Sequence, residues 1–313
     1  MRSTLQKLKP VFLIAVLAFM IWGLWALRGQ LGAALATADR GLLIGAAAIA
    51  AIYLGLNASV WGLILRLVKP DVSRFRAAKL WIECEAMRWL PGGIWGYASR
   101  VVDAKRIGVA RGPAGFSLLV ELVITVAAWA TLGLLGGLLS PRLREAANIY
   151  LEKFQLPPTS LFVLAGLGAL AVAVVLGLDL LKLRTKLLRS SGELIAGLKQ
   201  WPITLRAYLE YLILSVFYAF GFLLCLKAIG VDPSPSLLEA AGSYGLAWIV
   251  GFFAFGAPGG MGVREGFLYL VFQPLGIGAQ VATAAILWRA IQIIVELVLL
   301  VLIKTTGRRQ AEA

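Results

Sequence analysis

Histidine is absent from all 313 residues. The commonest general base and the commonest metal ligand are therefore missing. Cysteine is nearly absent too. Cys84 and Cys225 are far apart, match no CxxC spacing and read as small buried hydrophobes. Charge is scarce: 15% of positions are charged, against 60% hydrophobic. A soluble domain carries about 25% charged and about 45–50% apolar residues. One soluble core cannot hide that excess, so a soluble enzyme is excluded. A disordered chain, which needs low hydrophobicity and high charge, is excluded as well.

Acidic residues are the scarcer sign, 16 against 30 Lys and Arg, giving a net charge of +14. With a mean hydropathy of +0.86, this basic balance reads as membrane topology rather than nucleic-acid binding. Apolar runs long enough to span about 30 Å of hydrocarbon fall at 11–27, 41–65, 114–139, 159–181, 208–226 and 279–303. The first run is longer than a signal-peptide core and lacks a small-x-small cleavage site, so it reads as a membrane helix. Two further stretches, 81–99 and 238–272, are broken by Pro91-Gly92-Gly93 and Pro258-Gly259-Gly260. Broken backbone at membrane depth is tolerated only inside protein or beside a watery cavity. Both stretches therefore predict re-entrant helical hairpins.

The expected fold is an all-α integral membrane protein with six full spans and two hairpins. A cytoplasmic N-terminus then puts 21 of the 30 cations inside and six outside. That bias predicts both termini on the cytoplasmic side of the inner membrane. The two Pro-Gly-Gly elements lie 167 residues apart. This offset predicts one membrane domain over 1–313, built from halves of about 1–145 and 150–305. Each half crosses three times, so the second is inverted, an architecture recurrent among transporters. In this alignment Glu121 falls near Glu296.

Ionisable residues within apolar spans are costly and point to function. The first hairpin offers Glu85, Arg88, Pro91, Gly92, Gly93, Trp95 and Arg100, and the second Gly259, Gly260, Arg264 and Glu265. The helices that follow add Glu121, Arg289 and Glu296. Pro-Gly-Gly turns expose backbone N–H groups, and a helix N-terminus beyond them favours anions. Arginine adds a fork of donors suited to phosphate. The arginines and the Pro-Gly-Gly backbone are thus candidate substrate contacts. Glu85, Glu121, Glu265 and Glu296 are candidates for orienting the arginines or carrying protons, and simple Arg–Glu struts are the competing reading. No metal or cofactor is expected. The Gly92–Gly96 run lacks the strand–helix unit of a dinucleotide site. Gly41/Gly45 and Gly262/Gly266 are candidates for close helix packing. Residues 182–206 are basic enough to lie on anionic lipid.

The run Arg88-Trp-Leu-Pro-Gly-Gly-Ile-Trp-Gly-Tyr-Ala-Ser-Arg100, then Glu121, then Ala257-Pro-Gly-Gly-Met-Gly-Val-Arg-Glu265, resembles one known family. It is the flippase-like membrane domain of lysylphosphatidylglycerol synthases and its stand-alone relatives. The resemblance covers nearly the whole chain. It implies translocation of an anionic lipid, either a phospholipid or a polyprenyl-phosphate-linked one. It places Arg264 and Glu265 in the second motif and Glu121 at the acidic position after the first. Those synthases continue into a soluble aminoacyl-transfer domain, whereas this sequence ends at Ala313. Transport without synthase activity is therefore the expectation. A carrier of a soluble anion, or a non-transporting subunit of an envelope or glycan assembly complex, are the alternatives. Expected partners are an anionic lipid and no nucleic acid, with a homo-oligomer or a membrane enzyme partner left open.

Overall fold

The computed structural model describes residues 28–85, 87, 95–153, 201–254 and 258–312. The predicted spans 11–27 and 159–181, the basic segment 182–200, and Arg88 with Pro91-Gly92-Gly93 lie outside the described residues.

Among the described residues every regular element is helical. The helices are α1 (Arg28–Thr37), α2 (Arg40–Leu65), α3 (Arg74–Glu85), α4 (Trp95–Asp103), α5 (Arg111–Leu139), α6 (Pro141–Lys153), α7 (Trp201–Ala228), α8 (Leu237–Phe253), α9 (Val263–Phe272) and α10 (Gly278–Glu312). Four of them, α2, α5, α7 and α10, are long and apolar enough to cross a membrane. They coincide with the predicted spans 41–65, 114–139, 208–226 and 279–303. A long helix, two short ones and a second long helix occur in that order twice, as α2 to α5 and as α7 to α10.

Local chemistry sets the helix boundaries. Asp39 caps α2 by accepting the Leu42 N–H at 3.1 Å. Ser236 caps α8 in a reciprocal box: its hydroxyl accepts the Glu239 N–H, and the Glu239 carboxylate accepts the Ser236 N–H. Glu239 also accepts from the Ser140 hydroxyl at 3.0 Å and pairs with Arg142 at 3.4 Å. The start of α8 is thereby tied to the junction of α5 and α6. Between α8 and α9, Gly259, Gly260 and Gly262 all have positive φ. Side chains other than glycine rarely adopt that backbone, so this sequence can turn here without strain.

The long helices share an aromatic core. Tyr218 on α7 lies edge-on to Tyr53 of α2, Trp129 of α5 and Trp288 of α10, with centroids 5.0–5.5 Å apart. A second buried cluster joins α2 to α5 around Trp61 and Trp81.

Helices α5 and α8 cross closely. A Cβ on Gly242 would fall 2.6 Å from the Gly136 Cα, and the reverse also holds. By contrast, a Cβ on Gly262 or Gly266 would meet nothing within 4 Å, and one on Gly45 would meet only Leu224, at 3.5 Å. Close packing thus uses small residues that the motif spacing did not single out. Backbone atoms cannot step aside as side-chain tips can. Gly242→Ala is therefore expected to destabilise the protein by ~2 kcal/mol or more. The ~1 kcal/mol that alanine gains in helix propensity does not offset this. Thermal unfolding in detergent checks the point, and an unchanged midpoint would contradict it.

Candidate functional site

Among the described residues, each group of four helices holds a buried centre built on an Arg–Glu pair. The first joins α4 to α5. Arg100 on α4 is 2% exposed, and its Nη1 donates to Glu121 Oε2 at 2.7 Å. The other Glu121 oxygen accepts from the Trp81 indole at 3.3 Å and the Tyr211 hydroxyl at 3.0 Å. The Arg100 guanidinium lies over three rings, Trp61, Trp81 and Tyr97, at 5.0–5.6 Å from their centroids. Glu85, the last residue of α3, is within electrostatic reach of both Arg100 and Glu121. Trp95, which begins α4, is 41% exposed and lies outside this centre's core.

The second centre lies where α8, α9 and α10 meet. Glu265 Oε2 accepts the Gly262 N–H at 2.7 Å, which fixes the first turn of α9. Its Oε1 pairs with Arg289 Nη2 of α10 at 3.0 Å. That contact is not aligned as a hydrogen bond, and Nη1 of Arg289 is buried without an acceptor among the described residues. Arg264 has no carboxylate partner among the described residues. Its Nε is buried and unpaired, and its guanidinium lies over the Trp248 ring at 5.5 Å. Gly251 of α8 makes room for it, because a Cβ there would come within 2.4–3.1 Å of the Arg264 side chain. Tyr218, Tyr244 and Gln292 close the cluster with hydroxyl–hydroxyl and hydroxyl–amide bonds of 3.0 Å. Gln292 Nε2 and Trp288 Nε1 are further buried donors without acceptors among the described residues.

The two centres therefore differ in chemistry. In the first, one cation and one carboxylate are paired and solvated by indole, phenol and ring faces. In the second, Arg264, Arg289 and Glu265 leave one positive charge in excess, and several donors point at no acceptor. A buried unpaired donor costs free energy comparable to a lost hydrogen bond, and more when it is charged. Glu296 is 2% exposed and lies two turns beyond Arg289 on α10. Of the candidates read from the sequence, Gly259, Gly260, Arg264, Glu265 and Arg289 come together, while Arg100 and Glu121 form a separate centre.

Several residues of these centres carry no motif. Trp81, Tyr211, Trp248, Gly251 and Gln292 were not singled out in the sequence. One periodic signal was available. Tyr211 and Tyr218 are seven apart on α7 and so share a face, each reaching a different centre.

Long apolar helices enclosing buried Arg–Glu pairs define an integral membrane protein. The chain belongs to the family described as the Lysylphosphatidylglycerol synthase TM region, which matches residues 11–299. In the comparison with curated proteins, none matches it. It is a multi-pass membrane protein with a membrane-lipid-related function.

Proposed function

We propose that this protein flips an anionic, phosphate-bearing lipid across the cytoplasmic membrane, without catalysing a reaction. One observation carries this reading: Arg264, half-buried at the first turn of α9, has a buried, unpaired Nε and no carboxylate partner among the described residues. A headgroup phosphate there would meet Arg264, Nη1 of Arg289 and the positive end of the α9 dipole. Gly259 and Gly260 let the backbone approach it. Glu265 orients Arg289, and Arg100 with Glu121 braces the other half.

The chain is read as two inverted halves, about 1–145 and 150–305, with both Pro-Gly-Gly elements re-entrant and both termini cytoplasmic. The ion pairs support this pairing of halves. Shifted by 167 residues, Glu121 falls one position from Arg289, and Arg100 two positions from Glu265. Both pairs bridge the second short helix to the long helix after it, with opposite polarity. Rocking of one half against the other would expose the site alternately to each leaflet.

The test is a headgroup-accessibility assay in proteoliposomes with labelled phosphatidylglycerol and a labelled polyprenyl phosphate. Wild type is expected to translocate one of them. Arg264→Ala should slow it about tenfold or more, the value of a lost charged hydrogen bond. Folded wild-type protein that moves neither lipid would overturn the reading and favour a soluble-anion carrier or an assembly subunit.

A further inference from the structure

A headgroup in the second centre must leave its hydrocarbon chain an apolar path out of the protein. The geometry points to one such path, a subsite for the lipid chain along α8, formed by Trp248, Phe252 and Phe253. This inference rests on the lipid reading of Arg264 and adds to it where the chain goes.

The row begins at the polar centre itself. Trp248 carries the Arg264 guanidinium on its ring face. Trp248 also stacks with Trp129, with centroids 5.9 Å apart and planes at 19°. It stacks as well with Phe252, one helical turn further along α8, at 5.3 Å and 9°. Phe252 meets Phe253 edge-on at 5.3 Å. Phe253 is 38% exposed and neighbouring Val250 is 42% exposed, so the row ends at the protein surface. A cationic, donor-rich head and an apolar strip leading outward match an amphiphile, since ligand sites pair a mostly apolar lining with a few placed polar groups. A free inorganic anion would use the head and leave the strip without a role.

The strip sets direction more than affinity. Lipid tails are as apolar as the side chains they would touch, so moving a chain from bilayer to protein gains little beyond packing. Selectivity should therefore reside in Arg264, and the position of the chain in Trp248 and Phe252. That separation makes the subsite testable apart from transport.

Brominated acyl chains quench tryptophan at short range. Wild-type protein would be reconstituted in vesicles containing brominated-chain phosphatidylglycerol or, as the reference, brominated-chain phosphatidylcholine. The expected result is stronger quenching by phosphatidylglycerol. The excess should vanish in Trp248→Phe, which removes the reporting indole among the ten tryptophans but keeps a ring. In Arg264→Gln the apparent affinity behind the excess should fall about tenfold or more. Unbrominated polyprenyl phosphate serves as competitor. Relief of the excess quenching assigns a prenyl chain to the row, and persistence assigns acyl chains. No excess, or an excess that survives Trp248→Phe, overturns the subsite. Translocation without such quenching would retain the flippase and discard the chain path. Quenching without translocation would retain the lipid site and discard flipping.

Discussion

Exchanging the charges of the first centre, Arg100→Glu with Glu121→Arg, is expected to destabilise the protein more than Glu121→Gln alone. The swap restores one cation and one carboxylate, so pairwise Coulomb attraction predicts rescue. The surroundings predict the opposite. The site of Glu121 holds two donors, the Trp81 indole and the Tyr211 hydroxyl, and an arginine there would set donors against donors. The site of Arg100 is faced by Trp61, Trp81 and Tyr97. The negative faces of these rings attract a cation and repel a carboxylate. Breaking a buried pair costs ~3–5 kcal/mol, because a charge is left uncompensated. Glu121→Gln leaves the Arg100 charge without its carboxylate and should cost about that much, whereas the swap should cost more, because both charges then face surroundings of the wrong polarity. Thermal unfolding of the detergent-purified protein would report the order wild type, Glu121→Gln, swap. A swap as stable as wild type would mean that the pair, rather than its aromatic setting, fixes the polarity.

The same contrast shows how far the sequence could be read. The four described spans were legible because hydrophobic length is a local property. Their ends were not. Arg206 and Glu210 lower the hydropathy at the start of α7, yet the helix runs through them from Trp201. It does so because the two side chains pair at 2.8 Å, and Arg74 of α3 reaches the same carboxylate at 2.9 Å. The segment Pro141–Lys153 lies outside every predicted span, and its residues form helix α6. Arg264 and Glu265 were legible because the Pro-Gly-Gly turn beside them is a sequence-local mark. The partners of Arg100 and Arg289 were not, since each lies on another helix, 21 and 24 residues away. Gly136 and Gly242 were invisible for the same reason: a glycine's role is defined by which backbone crosses it.

Gly251→Ala is expected to abolish most transport while leaving the fold intact, although alanine adds only one methyl group and no charge changes. Gly251 lies near the C-terminal end of α8, a helical position where alanine is favoured over glycine by ~1 kcal/mol. The new Cβ would fall 2.4 Å from Cγ and 2.7 Å from Nε of Arg264. These atoms belong to a side chain rather than to backbone, so the clash is relieved by turning Arg264 about its first side-chain bond, which carries the guanidinium away with Cγ. Opposite, the Gly260 position offers no space, since a Cβ there would meet the Gly251 carbonyl oxygen at 2.7 Å. Arg264 would therefore be driven off the Trp248 ring and out of register with Arg289. Misplacing a positioned contact by about 1 Å can cost 10²-fold in rate. Translocation in proteoliposomes should fall by about that factor, with a thermal unfolding midpoint equal to or above that of wild type. Loss of both stability and transport would instead make Gly251 a packing residue. Full transport by Gly251→Ala would show that the guanidinium position seen here is not the one that binds the headgroup.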